Sequence, residues 1–332
     1  MNILLTGGAG YIGSHIAILL LSAGHRVLIV DNFCNSHVSA ISAIETISGQ
    51  KITCIKADIR NTSTLIQLLR SEEIEAVINL AGLKAVGEST IHPLEYYANN
   101  VQGAISLLQA MQESRVSKLV FSSSATVYGD PQYLPLDENH PTVPTNPYGQ
   151  TKLIVEQILQ DISSADKDFR VVNLRYFNPV GAHESGLIGE NPKGIPNNLM
   201  PLVSEVAAGK QKSLSVYGGD YSTADGTGVR DYIHVMDLAE GHMAALDFLN
   251  DNQGMSTFNL GTGSGHSVLE VVRAFESKSG KKILYQIAPR RVGDIASCYA
   301  DVKKANLNLK WSSKYSLDDM CLSAWRWQLS LE

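Results

Sequence analysis

The sequence lacks the usual marks of metal, disulfide and nucleic-acid chemistry. Only four cysteines occur in 332 residues (Cys34, Cys54, Cys298 and Cys321), and none form a Cys-x-x-Cys pair. Neither a zinc site nor a disulfide framework is therefore indicated. Nine histidines are present without a His-Glu-x-x-His motif or a pair spaced one helical turn apart, so no metal is expected. Charged residues make up only 18% of the chain and the formal net charge is −6, which argues against nucleic acid or an anionic membrane as partner. No apolar run has membrane length, and no repeat or low-complexity tract occurs. Asn2 follows the initial Met with no charged leader, so a cytoplasmic protein is the expectation. What is present is a 44% hydrophobic chain, long enough for one large domain or two smaller ones.

The glycines carry the first positive signal. An apolar run, Asn2 to Thr6, leads directly into Gly7-Gly8-Ala9-Gly10-Tyr11-Ile12-Gly13, followed by helical character to Ala23 and a second apolar strand, Arg26 to Val30, closed by Asp31. Strand, glycine turn, helix, strand and acid form the βαβ unit that binds dinucleotides. The glycines let the backbone approach a pyrophosphate that rests on the positive end of the helix. The spacing is Gly7-x-x-Gly10-x-x-Gly13, not the commoner Gly-x-Gly-x-x-Gly. Asp31 suits a ribose diol and would repel a 2′-phosphate, and neither Asn32 nor Phe33 offers a counter-charge. NAD is therefore expected over NADP.

The alternation continues, which predicts a doubly wound parallel α/β sheet of Rossmann type. Strands are expected at 52–57, 76–80, 118–122 and 170–176, with helices at 62–71 and 94–114. Strand ends of such a sheet open on one crevice, so Asp58, Ala81 and Ser123-Ser124 are expected to line the cofactor site. Simple strand-end capping is the alternative for Asp58. From Asn178 the regularity fades. Gly186 to Pro201 and Gly218 to Gly228 are rich in Gly, Asn and Pro and read as ordered loops of a smaller lobe. Asp237 is expected to cap a helix to about Leu249, with a short strand at 258–261, a helix at 268–280, a strand at 283–287 and a last helix at 317–329. The chain thus divides into a dinucleotide-binding part, 1–177, and a substrate lobe, 178–332, some segments of which return to the first sheet. Arg230, Arg290 and Arg291 sit near loop boundaries and fit anion recognition or plain solubility.

Asn146-Pro147-Tyr148-Gly149-Gln150-Thr151-Lys152 supplies a candidate base. Pro147 suits a first helical turn, and Tyr148 and Lys152 then share a face one turn apart. A nearby ammonium favours the phenolate and makes the Tyr a usable base. Such pairs are also common on solvated helices, and Tyr299/Lys303 repeats the spacing with no cofactor loop ahead of it.

Taken together, Thr6–Gly13, Ser124 after a strand and the Tyr148/Lys152 pair resemble the extended short-chain dehydrogenase/reductases. The segments Ala81–Ser89, Ser122–Gly129, Leu174–His183, Pro196–Pro201 and Gly226–His234 resemble, within them, the UDP-glucose 4-epimerase family, and the likeness runs through the helix holding Trp325 and Trp327. The resemblance implies catalysis by Ser124, Tyr148 and Lys152 on carbon 4 of a UDP-hexose, with tightly held NAD regenerated in each turnover. It implies NAD contacts at Gly7, Gly10, Tyr11, Ile12, Gly13, Asp31, Asn32, Asp58, Ile59, Lys84, Asn99 and Tyr176, beside the Ala81 strand end. It implies UDP-sugar contacts at Lys84, Asn178, Asn198, Leu199, Tyr217, Arg230, Arg291 and Asp294, besides Ser124 and Tyr148. Cys298 stands where many bacterial members carry Tyr, and a small residue there goes with acceptance of N-acetylated sugars. The family also implies a homodimer joined through helices at 94–114 and 148–163. A sister dehydratase or decarboxylase would need a carboxylate just after Ser124, where the chain has Ala125-Thr126; a non-catalytic NAD sensor would not need Tyr148 and Lys152.

Overall fold

The computed structural model describes residues 1–194, 196, 198–291 and 293–331; Asn197 of the Pro196–Pro201 segment lies outside them. Its strands are β1 (Asn2–Thr6), β2 (Arg26–Asp31), β3 (Thr53–Lys56), β4 (Ala76–Asn79), β5 (Lys118–Ser124), β6 (Arg170–Tyr176), β7 (Asn178–Val180), β8 (Leu214–Tyr217), β9 (Val229–His234), β10 (Met255–Leu260), β11 (Gly265–Ser267), β12 (Tyr285–Ala288) and β13 (Ser297–Cys298). Seven of them form one sheet in the order β10-β6-β5-β4-β1-β2-β3, every neighbouring pair parallel. Strands such as β1 and β4 are buried on both faces, which is why they read as continuous apolar runs rather than alternating ones. The order reverses between β1 and β4. A crevice must open there beyond Thr6 and Asn79, which are partners in register.

The helices are α1 (Tyr11–Ser22), α2 (Ser39–Ser48), α3 (Thr62–Ser71), α4 (Val86–Ile91), α5 (Pro93–Tyr96), α6 (Gly103–Ser114), α7 (Pro147–Ala165), α8 (Leu199–Ala207), α9 (Val235–Asp251), α10 (Val268–Ser279), α11 (Lys303–Asn308) and α12 (Leu317–Ser330). Ile16, Leu20, Leu238 and Leu246 from α1 and α9 bury one face of the sheet; Leu65, Leu107, Val155 and Leu159 from α3, α6 and α7 bury the other. A second core around Val203, Val216, Phe275 and Trp325 is built by α8, α10 and α12 over β8 and β9. Among the described residues no helix is long and apolar enough to cross a membrane.

Several expectations need correction. The helical stretch at 94–114 begins at Pro93 and is interrupted by a π-helical turn, Tyr97–Gln102. The cap of α9 is His234, whose Nδ1 accepts from the Met236 N–H at 3.1 Å. Asp237 lies inside the first turn and accepts from the N–H groups of Lys314 and Tyr315. The strand expected at 283–287 is Tyr285–Ala288, and that at 258–261 is the longer β10, an edge strand of the main sheet. The end of the loop expected over 186–201 is helical, Leu199, Met200 and Pro201 forming the first turn of α8.

Candidate active site

Beyond the β1/β4 switch point lies a cleft of about 400 Å³. Its first wall is the glycine turn. Gly7 adopts φ 69°, and a Cβ there would stand 2.8 Å from the Ala81 backbone nitrogen, so the turn and the β4 strand end pack backbone to backbone. A Cβ on Gly13 would meet the Gly7 carbonyl at 2.6 Å. Gly10 caps α1 with no side-chain partner, leaving first-turn N–H groups for an anionic ligand. Asp31 ends β2 and is held by Ala9 N–H (3.1 Å), Phe33 N–H (2.8 Å) and the Ser36 hydroxyl (2.9 Å). Its carboxylate oxygens are anchored yet keep acceptor capacity. Every residue assigned above to the cofactor lines this cleft except Asp58. Asp58 stands one layer behind, bonded to Asn32 at 3.3 Å and paired with Arg60 at 2.7 Å, an interaction that holds its carboxyl well below the usual range.

The second wall carries the candidate chemistry. Ser124 is the last residue of β5, opposite Tyr176 in register. Asn146 caps α7 by accepting from Gly149 N–H at 2.9 Å, which sets Tyr148 and Lys152 on consecutive turns. Gly149 allows this approach: a Cβ there would lie 2.8 Å from the Thr126 carbonyl. The Lys152 ammonium is buried, donates to the Ser122 carbonyl at 2.6 Å and stands 5.9 Å from the Tyr148 ring centre. Burial brings its pKa down to about 8, against the pull of Glu156, so it stays charged at neutral pH. Burial also raises the Tyr148 phenol above its ordinary value, while the Ser124 hydroxyl beside it acts in the opposite direction. Thr126 donates to Ser124 Oγ from both its N–H (3.2 Å) and its hydroxyl (2.9 Å). With its oxygen receiving two donors, Ser124 is left to turn its own proton toward the cleft. The control pair is arranged otherwise. Tyr299 precedes α11, and Lys303 pairs with Asp301 at 3.0 Å, so the two share no helix face.

The residues assigned to the sugar nucleotide fall into two groups. Lys84, Ser124, Tyr148, Asn178 and Asn198 line the cleft. Leu199, Tyr217, Arg230, Arg291, Asp294 and Cys298 do not. Arg291 lies 4.8 Å from the Tyr217 ring centre and pairs with Asp294 at 2.9 Å. Arg230 and Cys298 are partners across β9 and β13, and Cys298 is buried with Val127, Tyr128 and Phe177, the last of which reaches the cleft wall. Arg290 is paired with Asp220 at 2.7 Å over the Tyr221 ring.

A family model described as GDP-mannose 4,6 dehydratase matches residues 4–323. The chain is 54% identical over 330 residues to UDP-glucose 4-epimerase of Bacillus subtilis, covering 99% of this chain and 97% of that one. Two solved structures superpose over nearly all of both chains. UDP-glucose 4-epimerase from Stenotrophomonas maltophila, with bound NAD and formylated UDP-arabinopyranose, has a TM-score of 0.98 at 50% identity, covering 100% of this chain and 98% of that one. The enzyme from Bifidobacterium longum, in complex with NAD+ and UDP, has a TM-score of 0.97 at 51% identity, with coverage of 99% and 98%. The chain belongs to the UDP-glucose 4-epimerase family.

Within this epimerase family member, two residues at the site carry no signal in the sequence. Glu190 is the clearest, since its carboxylate bridges Lys84 (2.7 Å) and Asn198 (2.6 Å) across the cleft. It sits in a Gly/Pro/Asn-rich stretch where periodicity is uninformative. Asn100, in the π turn, ties the Leu83 backbone to Thr151 on α7 at 3.0 Å. π turns of this kind recur at functional sites. Thr126 shows in the sequence only as a residue that is not a carboxylate; its hold on Ser124 Oγ appears in the fold.

Proposed function

We propose that the protein is an NAD-dependent isomerase that interconverts UDP-glucose and UDP-galactose by inverting carbon 4. The observation that carries this reading is the convergence of Ser124, Tyr148 and Lys152 on a glycine-turn cleft, with Thr126 and no carboxylate beside the serine. The glycine turn that admits no Cβ, the open N-terminus of α1 and the anchored Asp31 fit a dinucleotide with a free ribose diol. Bound NAD+ supplies a hydride acceptor and a positive ring. The protein's own groups move the proton. Tyr148 takes it from the 4-hydroxyl, Ser124 bonds to the same sugar oxygen, and Lys152 favours the phenolate that burial alone opposes. Because hydride and proton both return, no net redox occurs.

Arg230, Arg291, Asn178 and Asn198 are proposed to anchor UDP while the sugar turns, with Leu199, Tyr217 and Asp294 completing the pocket. Guanidinium forks suit a pyrophosphate. Cys298 is proposed to leave room for an N-acetyl group, so UDP-N-acetylglucosamine and UDP-N-acetylgalactosamine would be substrates too. Exposed Ile91 and Leu94 beside the π turn support a homodimer through that face. The four free cysteines suit the reducing cytoplasm.

The test is product analysis after incubation with UDP-galactose, UDP-N-acetylgalactosamine and GDP-mannose in separate tubes. The 4-epimers of the first two are expected, and no reaction with the third. A dehydrated 4-keto-6-deoxy sugar from any tube would overturn the epimerase reading. Turnover of UDP-galactose alone would overturn only the role of Cys298.

A further inference from the structure

Among the described residues three tyrosines line the cleft, and two of them have already committed their protons. Tyr11 donates to the Gly181 carbonyl at 2.6 Å. Tyr176, the last residue of β6, is directed at Nε2 of His242, with ring centres 5.3 Å apart. His242 lies on α9 with no exposed surface, and its Nδ1 is 2.8 Å from the Leu238 carbonyl one turn earlier. A carbonyl oxygen only accepts, so Nδ1 must carry the ring proton and Nε2 must present a lone pair. The Tyr176 hydroxyl therefore donates away from the cleft, into α9. Burial brings the imidazole down to about 4, so this polarity holds across the neutral range.

We propose that His242, which does not line the cleft, is a positioning residue that fixes Tyr176 as a permanent hydrogen-bond acceptor on the cofactor wall. With the Ser122 hydroxyl also beside its oxygen, Tyr176 keeps one acceptor site for an N–H or O–H donor of the bound cofactor, and Tyr148 is left as the phenol that exchanges protons with the ligand. The inference rests on the NAD reading above. It also gives a physical reason why Tyr176 does not act as the base: its hydroxyl is wired to a buried acceptor through a fixed tautomer, and that of Tyr148 is not.

The test is a double-mutant cycle read by the rate at which NAD leaves the purified holoenzyme into a charcoal trap. His242→Leu leaves the Tyr176 hydroxyl buried without its acceptor, and release is expected to quicken roughly tenfold. Gln offers a carbonyl oxygen to the same hydroxyl, so His242→Gln should stay within about threefold of wild type. In a Tyr176→Phe background, which lacks the hydroxyl, His242→Leu should change release by less than about twofold. Equal acceleration in both backgrounds would show a merely structural role and overturn the inference. If His242→Leu does not fold, the Gln variant and Tyr176→Phe still decide it: fast release from the first, or unchanged release from the second, overturns the inference. Wild-type protein that retains no NAD would instead overturn the cofactor reading.

Discussion

Replacing Gly149 by Ala tests whether close packing of α7 on the Ser124 turn sets the geometry of the site. An Ala Cβ would stand 2.8 Å from the Thr126 carbonyl and 3.1 Å from Pro144 Cβ, both parts of the chain with little freedom to yield. Ordinary carbon–oxygen contact requires the helix start to retreat by roughly half an ångström. Tyr148 precedes the substituted residue and moves with it, while Ser124 stays with β5. Since a misplacement of about 1 Å can cost roughly 10²-fold in rate, a loss near tenfold in kcat is expected, with cofactor still bound. Overpacking costs about 1–3 kcal/mol, and removing a helical glycine returns about 0.5–1 kcal/mol, so the net effect at the middle of these ranges is a destabilisation of about 1 kcal/mol. Gly87 serves as control. It lies exposed in α4 with nothing within 4 Å of its added Cβ, so Gly87→Ala should gain about 0.5 kcal/mol and leave kcat alone. The assays are steady-state epimerisation and a thermal melt of each variant. Gly149→Ala with wild-type kcat and an unchanged or higher Tm would refute the packing argument.

Other expectations follow from the same geometry. Tyr148→Phe keeps the ring and loses the base, so bound NAD should persist while kcat falls by roughly 10²–10⁴-fold; near-normal turnover would refute the role assigned to the phenol. Cys298→Tyr should suppress the N-acetylated reaction and spare the plain hexose, and equal loss of both, measured as kcat/KM, would remove the pocket-size argument. Lys152 is buried, and its pKa is lowered from 10.5 to about 8. A lowered lysine pKa means the unfolded chain binds more protons between those values, so the buried ammonium opposes folding most at pH below 8. Lys152→Met should therefore lose activity yet gain stability without ligand at pH 7, by up to roughly 3 kcal/mol. The gain should shrink as pH rises through 8 toward 10. Chemical denaturation at several pH values checks this, and a destabilised variant at pH 7 would contradict it.

The parts legible in the sequence are those with a local cause. A glycine turn between strand and helix, an acid closing the next strand and Pro147 ahead of a Tyr–Lys pair each state their conformation in a few residues. Tyr148/Lys152 and Tyr299/Lys303 share a spacing, but only the first pair lies on one helix, since α11 starts only at Lys303. What could not be read depends on distant partners or on competing local choices. His234 and Asp237 can both cap a helix, and only the packing of Lys314 and Tyr315 against Asp237 decides between them. The π turn at Tyr97–Gln102 leaves the apolar pattern intact while shifting hydrogen-bond partners, so periodicity cannot reveal it. Glu190 joins Lys84 and Asn198 from opposite walls, and Tyr176 meets His242 from another element, contacts that only the assembled sheet creates.

On this mechanism the hydrogen taken from carbon 4 is kept inside the protein and given back. The most direct measurement incubates purified protein, without added cofactor, with UDP-galactose deuterated at carbon 4 in ordinary water. UDP-glucose that still carries deuterium at carbon 4 is the expected result. Conversion with loss of the label to water, or no conversion even after NAD is supplied, would contradict it.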